Sequence, residues 1–440
     1  MKYHLHIFGC QMNEADAQRV GSDLEKIGLT YTAHARDADV IVLDTCVVRQ
    51  SAEDKAYSYI QTLKPIKQTR PEAVITVMGC MVGVKGNGAL KKQFPWVDVF
   101  MAPSETAPLM NFLRQREAFA LMEAETRQRH AIQDGDLILP LHERGSLVAA
   151  HVPIVYGCSH ACTFCIIPFR RGIERSRPVG QIAHEVRSLA AQGVKEVTLL
   201  GQIVDRYGKD VPAGPSLADL LRVINDIDGV QRIRFLTSHP SYMHDQLLDA
   251  VAELPKVCEH IEVPVQAGDD QVLANMKRGY TADDYRRLIE KVRSKLPNSS
   301  IATDIIVGFS GETEAQFQKT YDLLEELRLD VIHLARYSPR PGTVAERRMT
   351  DDVPAEEKER RFRVLEDQQA RITAEINARH LGQMVEVLVE ENHRNKWKGR
   401  TRTNKLVFFE DERDWRGQLV NVKIDKTGPW SMTGTMINEQ

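Results

Sequence analysis

The chain has 440 residues, 42% of them hydrophobic and 27% charged, with a formal net charge of −3. That length calls for roughly two to four domains, and the near balance of charge argues against a globally basic nucleic-acid binder while leaving room for a local basic patch. No run of about eighteen apolar residues exists, so no membrane partner is expected, and seven cysteines in so long a chain suggest metal ligation or catalysis rather than a disulfide scaffold.

The N-terminal stretch MKYHLHIFGC lacks the apolar core and cleavage site of a signal peptide and reads as the first core strand of a cytoplasmic protein. Three strand-like runs, YHLHIFGC, DVIVLDTC and AVITVMGC, end in Cys10, Cys46 and Cys80. Between them, apolar spacing near 3.6 predicts helices from Asn13 to Ile27, stopped by Gly28, and from Ala52 to Leu63. Alternating strands and helices imply a parallel α/β domain, placed at residues 1–118, whose ligands sit outside the carboxyl ends of the strands. All three cysteines fall there, although each alone reads equally well as a small buried hydrophobe.

From Ser104 to Ala150 the pattern is polar and aperiodic, and a linker is expected over 119–145. A longer alternation follows, with strands predicted at Val152–Tyr156, Glu196–Leu200, Arg232–Thr237, His260–Val265, Ile301–Val307 and Asp330–Arg336. Amphipathic helices such as IAHEVRSLAAQ and EAQFQKTYDLLEEL fill the gaps. About six β/α units fit a partial or full TIM-like barrel over 146–378, with chemistry at the strands' carboxyl ends. Asp351 to His380 reads as a charged connecting helix. MVEVLVEE, KLVFFED, QLVNVKI and SMTGTMI suggest a small antiparallel β-barrel over 379–440.

The stretch GCSHACTFCIIPF directly follows the first of the barrel strands and holds Cys158, Cys162 and Cys165. Structural zinc needs four protein ligands, and no fourth cysteine lies nearby, although His160 sits inside the loop. Three thiolates can instead hold three irons of a 4Fe-4S cluster and leave the fourth for a substrate. A zinc knuckle or buried thiols remain the bland reading.

The spacing, with Phe164 before the last cysteine, resembles the radical S-adenosylmethionine (SAM) superfamily. GCQMN, DTCVVRQSAEDK and MGCM, followed in order by GIERSRP, KEVTLLGQ, RIRFLTSHP, VPVQAGDDQVLANMKRGYT, TDIIVGFSGET and YSPRPGT, resemble its methylthiotransferase family. The likeness covers nearly the whole chain and is weakest between Ala120 and Ser146. It implies two 4Fe-4S clusters, one on Cys10, Cys46 and Cys80 and one on Cys158, Cys162 and Cys165, and two uses of SAM. One SAM methylates a sulfur held at the first cluster; the other, cleaved at the second, gives the radical that activates the substrate carbon. It further implies a SAM pocket including Phe164, Gly201, Gln202, Ser238 and Gln266, an external electron donor and a sulfur source, and a monomer is expected.

GCQMNEAD resembles the MiaB-type branch, which modifies C2 of N6-isopentenyladenosine at position 37 of tRNA, in the anticodon loop. Sister branches act on threonylcarbamoyladenosine in tRNA or on an aspartate of a ribosomal protein. The sequence departs from the family pattern at four places: Ile203 and Asp44 stand where asparagine is usual, Ser310 replaces proline and Ala267 replaces serine. A rival of another class is a non-catalytic, zinc-stabilised RNA-binding protein.

The run NHRNKWKGRTRTNK contains Arg394, Lys396, Lys398, Arg400, Arg402 and Lys405, with Trp397 among them and no acidic residue. Cations beside an aromatic ring suit phosphate contact and base stacking on RNA, while a solvated basic hairpin is the alternative. The position in a small terminal barrel resembles the TRAM domain, which implies RNA binding.

Overall fold

The computed structural model describes residues 1–85, 88–129 and 137–437. Its first domain is a parallel sheet of β1 (Lys2–Ile7), β2 (Thr30–Tyr31), β3 (Val40–Thr45), β4 (Val74–Gly79) and β5 (Val99–Met101), in the order β2-β1-β3-β4-β5. The runs VIVLDT and VITVMG are buried at every residue, as strands covered on both faces must be. The cover comes from α1 (Gln11–Lys26), α2 (Gln50–Thr69), α3 (Gly88–Gln93) and α4 (Ala107–Arg114).

The expectation of an aperiodic connector is corrected here. Ala107–Arg114 forms α4, with Leu109, Met110 and Leu113 buried, and Glu117–Arg129 forms α5, with Phe119 in the same core. The helix escaped notice because its sequence, EAFALMEAETRQR, has no sustained apolar face. Residues 130–136 of the expected linker lie outside the described residues.

The central domain opens with β6 (Ala149–Pro153), the short pair β7 (Val155–Tyr156) and β8 (Arg175–Ser176), and α6 (Ile167–Arg171) between them. It continues through α7 (Val179–Ala191), β9 (Glu196–Leu200), α8 (Leu217–Asn225), β10 (Arg232–Phe235), α9 (Asp245–Glu253) and β11 (His260–Glu262). After α10 (Asp270–Asn275) and α11 (Ala282–Lys295) come β12 (Ser300–Val307), α12 (Glu314–Leu327), β13 (Val331–Arg336), α13 (Val344–Arg348) and α14 (Ala355–Ala378). Strands β6, β9 and β10 form one parallel sheet and β11, β12 and β13 another. A bridge at Ile233–Val257 and a hydrogen bond from Ser238 N–H to the Glu262 carbonyl (3.0 Å) join them into a curved, partial barrel. Capping boxes at Ser216/Asp219, Thr281/Asp284 and Thr313/Gln316 start α8, α11 and α12, each satisfying otherwise orphaned amide groups.

The C-terminal domain is a closed barrel of β14 (Met384–His393), β15 (Lys396–Thr401), β16 (Leu406–Phe409), β17 (Leu419–Thr427) and β18 (Met432–Met436). Strand β15 was hidden in the basic run, whose alternation of large cations masks its period of two. Arg394 and Asn395, both with positive φ, make the two-residue turn into it. This barrel closes the amino end of the central strands. Arg232 donates to Arg400 O (2.6 Å) and Glu386 Oε1 (2.8 Å), and Arg234 to Thr401 O and Arg402 O (both 2.7 Å). Ser300 Oγ donates to Thr403 O (2.8 Å).

Arg234 also pairs with Glu196 at 2.8 Å, both side chains being almost wholly buried. Removing one partner strands the other charge without water. Arg234→Ala is therefore expected to lower the unfolding free energy by about 3–5 kcal/mol. Urea unfolding checks this, and a loss below about 1 kcal/mol would show that Glu196 is not left as a stranded charge.

Candidate active site

One cavity of about 740 Å³ is lined by residues of both larger domains, and all six cysteines of the two trios line it. Cys10 is the N-cap of α1, while Cys46 and Cys80 directly follow β3 and β4, so the parallel sheet delivers all three at its carboxyl edge. Gly79 has φ +96°, and a Cβ there would stand 2.2 Å from Asp44 Oδ1; only glycine lets the chain turn into Cys80 beside that carboxyl. On the facing side, Gly157 (φ +68°) leads into Cys158, and a Cβ would meet Ile173 O at 2.2 Å.

Donors point at the sulfurs. Val48 N–H approaches Cys46 Sγ at 3.4 Å, His160 N–H approaches Cys158 Sγ at 3.4 Å, and Arg278 Nη1 donates to Cys162 Sγ at 3.3 Å. Burial nevertheless pushes the thiols up, Cys80 and Cys165 to about 12 and Cys158 to about 11, and thiolates of the same trio raise one another. The Arg171 guanidinium opposes this at Cys46 and Cys80. Three bare thiolates in such a place are unfavourable, and cationic irons would remove the penalty. Among the described residues no three His, Cys, Asp or Glu side chains stand close enough to share one ion. Cysteine sulfurs bound to different irons of a cubic cluster stand further apart than the ligands of one metal ion, so the donor set fits the cluster better than zinc.

The walls carry polar atoms with no partner among the described residues. Ser238 Oγ, His239 Nε2, Gln266 Oε1 and Arg171 Nη2 are buried and unpaired, each at a cost of about 1–3 kcal/mol if left so. Donors and acceptors together suit a ligand bearing both an amino and a carboxylate group. Phe164, Gly201 and Gln202 line the same cavity, so the five predicted pocket residues are brought together with the cysteines. Ile203 is buried against Cys158 and Ile167, an apolar contact where an amide was expected.

Other cavity residues escaped the sequence reading. Arg278 was visible only as part of KRGYT, and Arg171 only as a cation six residues beyond Cys165. Arg171 is buried and bonds Asp16 through Nη1 at 3.0 Å. Glu262 and Asp304 face the cavity from β11 and β12, where burial raises both carboxyls above the usual range and the charge of Asp304 adds to the rise at Glu262; a polar residue inside the strand ATDIIV was the one signal. Burial and the nearby Arg278 hold His239 down to about 2, so it is neutral.

The seven basic-run residues separate. Arg394 is exposed at the hairpin tip, and Lys396 is about half exposed beside Glu410. Lys398 and Arg400 are half-buried and paired with Glu391 and Glu390. Three assignments are corrected by packing. Trp397 lies in the barrel core, 5% exposed, with its indole N–H on Asp411 O, and offers no stacking face. Arg402 is taken up by Glu259, Val257 O and Pro255 O, and Lys405 by Asp330 at 2.8 Å, all on the central domain.

At pH 8 a thiol titrating at about 12 holds roughly one thiolate in ten thousand. In iron-free protein, the exposed Cys10 is expected to be alkylated first and Cys80 and Cys165 last. Raising the pH to 10 should accelerate the last two about a hundredfold. Mass-spectrometric mapping reads the order, and equal rates at pH 8 would contradict the burial.

Residues 2–102 match the model of an uncharacterized protein family, UPF0004, residues 152–324 that of the radical SAM superfamily and residues 378–437 that of the TRAM domain. The fold is similar to a radical SAM methyltransferase, TsrM, from Kitasatospora setae, with a TM-score of 0.55, 14% identity and coverage of 78% of this chain and 77% of that one. A tRNA-2-methylthio-N6-dimethylallyladenosine synthase from Herpetosiphon aurantiacus is 46% identical, covering 100% of this chain and 98% of its own length. Proteins of the same name from Dehalococcoides mccartyi (43% identical, covering 99% and 98%) and Acetivibrio thermocellus (42%, covering 99% and 91%) are also similar. With such likeness over its whole length, the chain belongs to the tRNA-2-methylthio-N6-dimethylallyladenosine synthase family of radical SAM proteins.

Proposed function

We propose that this chain inserts a methylthio group at C2 of N6-isopentenyladenosine at position 37 of tRNA, and that it uses two 4Fe-4S clusters to do so. The observation that carries the reading is that six cysteines from two separate sheets line one cavity. Cys158, Cys162 and Cys165 would hold the cluster that binds SAM, and Cys10, Cys46 and Cys80 a second one. When bound, the clusters and SAM supply one-electron chemistry and the sulfur to be transferred.

The chain's own residues place and enclose the reactants. Ser238, Gln266, Gly201 and Gln202 offer polar side chains and backbone to SAM, and Phe164 an aromatic wall. Arg278 holds the Cys162 sulfur in place. The walls of the two domains keep bulk water from the reacting carbon. C2 of the base reaches such a cavity only if the adenosine is splayed from its stack. Arg394 and Lys396, with Lys398 and Arg400 behind them, supply phosphate contacts from the terminal barrel. An electron donor and a sulfur source act as further partners, and the protein works as a cytoplasmic monomer.

In a strain lacking the gene, nucleoside mass spectrometry of tRNA is expected to show loss of 2-methylthio-N6-isopentenyladenosine and accumulation of the unthiolated form. Persistence of the thiolated nucleoside would move the substrate elsewhere. Cys162→Ala should abolish 5′-deoxyadenosine formation in reduced, reconstituted protein while keeping iron at the other trio; continued SAM cleavage would overturn the role of Cys162.

The double substitution Arg394→Ala, Lys396→Ala is expected to weaken tRNA binding and to reduce the slope of log affinity against log salt by about one to two. An unchanged slope would place the RNA contact on another face.

A further inference from the structure

Arg171 is a residue of the central domain that lines the cavity together with the other domain's cysteines. It closes α6, six residues beyond Cys165, and its side chain is 3% exposed. Nη1 is committed to Asp16 Oδ2 at 3.0 Å and lies 3.5 Å from Ser104 Oγ. Nη2 has no partner among the described residues, although Arg171 lines the cavity. Its positive charge acts on Cys10, Cys46 and Cys80, all three cysteines of the N-terminal trio. Asp16 fixes the plane of the guanidinium, so the free N–H is held in one direction rather than left to find a partner.

A buried, oriented, unspent cationic donor beside three thiols is a site for a small soft anion. Thiolates and sulfides accept such bonds, and charge-assisted bonds are the stronger kind. A small anion with one acceptor atom matches the single free N–H, whereas a phosphate or carboxylate would bring more oxygen acceptors than one N–H serves. We propose that Arg171 Nη2 holds the anionic sulfur ligand, hydrosulfide or methanethiolate, that the N-terminal trio's cluster carries before transfer. This rests on the two-cluster reading above. It adds a ligand-holding residue that comes from the domain bearing the other cluster. The short tether from Cys165 to Arg171 thereby ties the place of the sulfur to the place of the SAM cluster.

The test uses the full chain, reconstituted with iron and sulfide, with Cys158, Cys162 and Cys165 replaced by alanine so that only the first cluster reports. Sodium sulfide and sodium methanethiolate are titrated while the electron paramagnetic resonance spectrum of the reduced cluster is followed. With Arg171 present the spectrum should shift at saturable ligand concentration. Arg171→Gln, with iron content retained, should raise the half-saturating concentration about tenfold or more for the anion that Arg171 holds, and Arg171→Lys should fall between. The anion more affected identifies which form is held. Full iron with unchanged half-saturation for both overturns the proposal and leaves the two-cluster reading standing. A triple-alanine protein that takes up no iron overturns both.

Should Arg171→Gln fail to fold, Asp16→Asn gives an independent answer. It leaves the guanidinium in place and strips its counter-charge, so half-saturation should fall; an unchanged or raised value counts against the proposal.

Discussion

Everything at the site depends on two independently folded sheets being held face to face, and helix α1 is the element that does it. Its N-cap is Cys10, and the turns that follow grip the central domain. Glu14 meets His151 at 3.0 Å, Asp16 meets Arg171 at 3.0 Å, and Arg19 meets Glu185 at 2.9 Å. Glu185 also takes Arg177 at 2.6 Å, so the grip runs directly into the loop that follows the cysteines at 158–165. On the far side Arg340 reaches back to Gln50 (2.6 Å) and to Glu53 at the start of α2. These pairs, buried apart from Glu14 with His151, add little net stability relative to apolar packing. What they contribute is register: a slide between the domains would strand several charges at once, which makes one relative position strongly preferred.

The same logic explains how the terminal barrel is spent. Its 401–405 loop inserts against the amino ends of the central strands, where Arg234, Ser300 and Asp330 meet it. The cavity opens at the opposite, carboxyl ends. Tying the terminal barrel to one end of the central strands leaves the other end, where the cavity opens, free. It also consumes cations that, counted along the sequence, resemble a nucleic-acid surface.

Much of the architecture was legible because it is governed by period. Glu196–Leu200 and Glu314–Leu327 are bounded in the structure as the alternation predicts, since a buried strand and a capped amphipathic helix carry their own local signals. The gathering of Cys10, Cys46 and Cys80 was legible through topology, because parallel strands deliver their carboxyl ends to one edge, while their meeting with the second trio was implied by the family resemblance alone. What local reading missed was settled by distant partners. Arg402 and Lys405 are cations claimed by Glu259 and Asp330, more than seventy residues away, and Trp397 is an aromatic claimed by the barrel's own core. Charge and aromaticity name what a side chain offers; only packing decides to whom.

Two of the four departures from the family pattern, Asp44 and Ile203, sit in surroundings that disfavour a charge. Asp44, where an asparagine is usual, is fully buried and accepts from Asn13 Nδ2 at 2.7 Å. Burial, with Asp16 nearby, raises its carboxyl well above the usual range, which favours the uncharged form that an amide always has. The sign follows from the shift: the group binds a proton that the unfolded chain releases, so this residue weakens the fold as pH rises above the ordinary carboxylate range. Ile203 reaches the same end more simply, replacing an amide with a side chain packed on Cys158 and Ile167. Ile203 keeps an undirected hydrogen-bonding group off the cavity wall, where such a group is a place for water to stand.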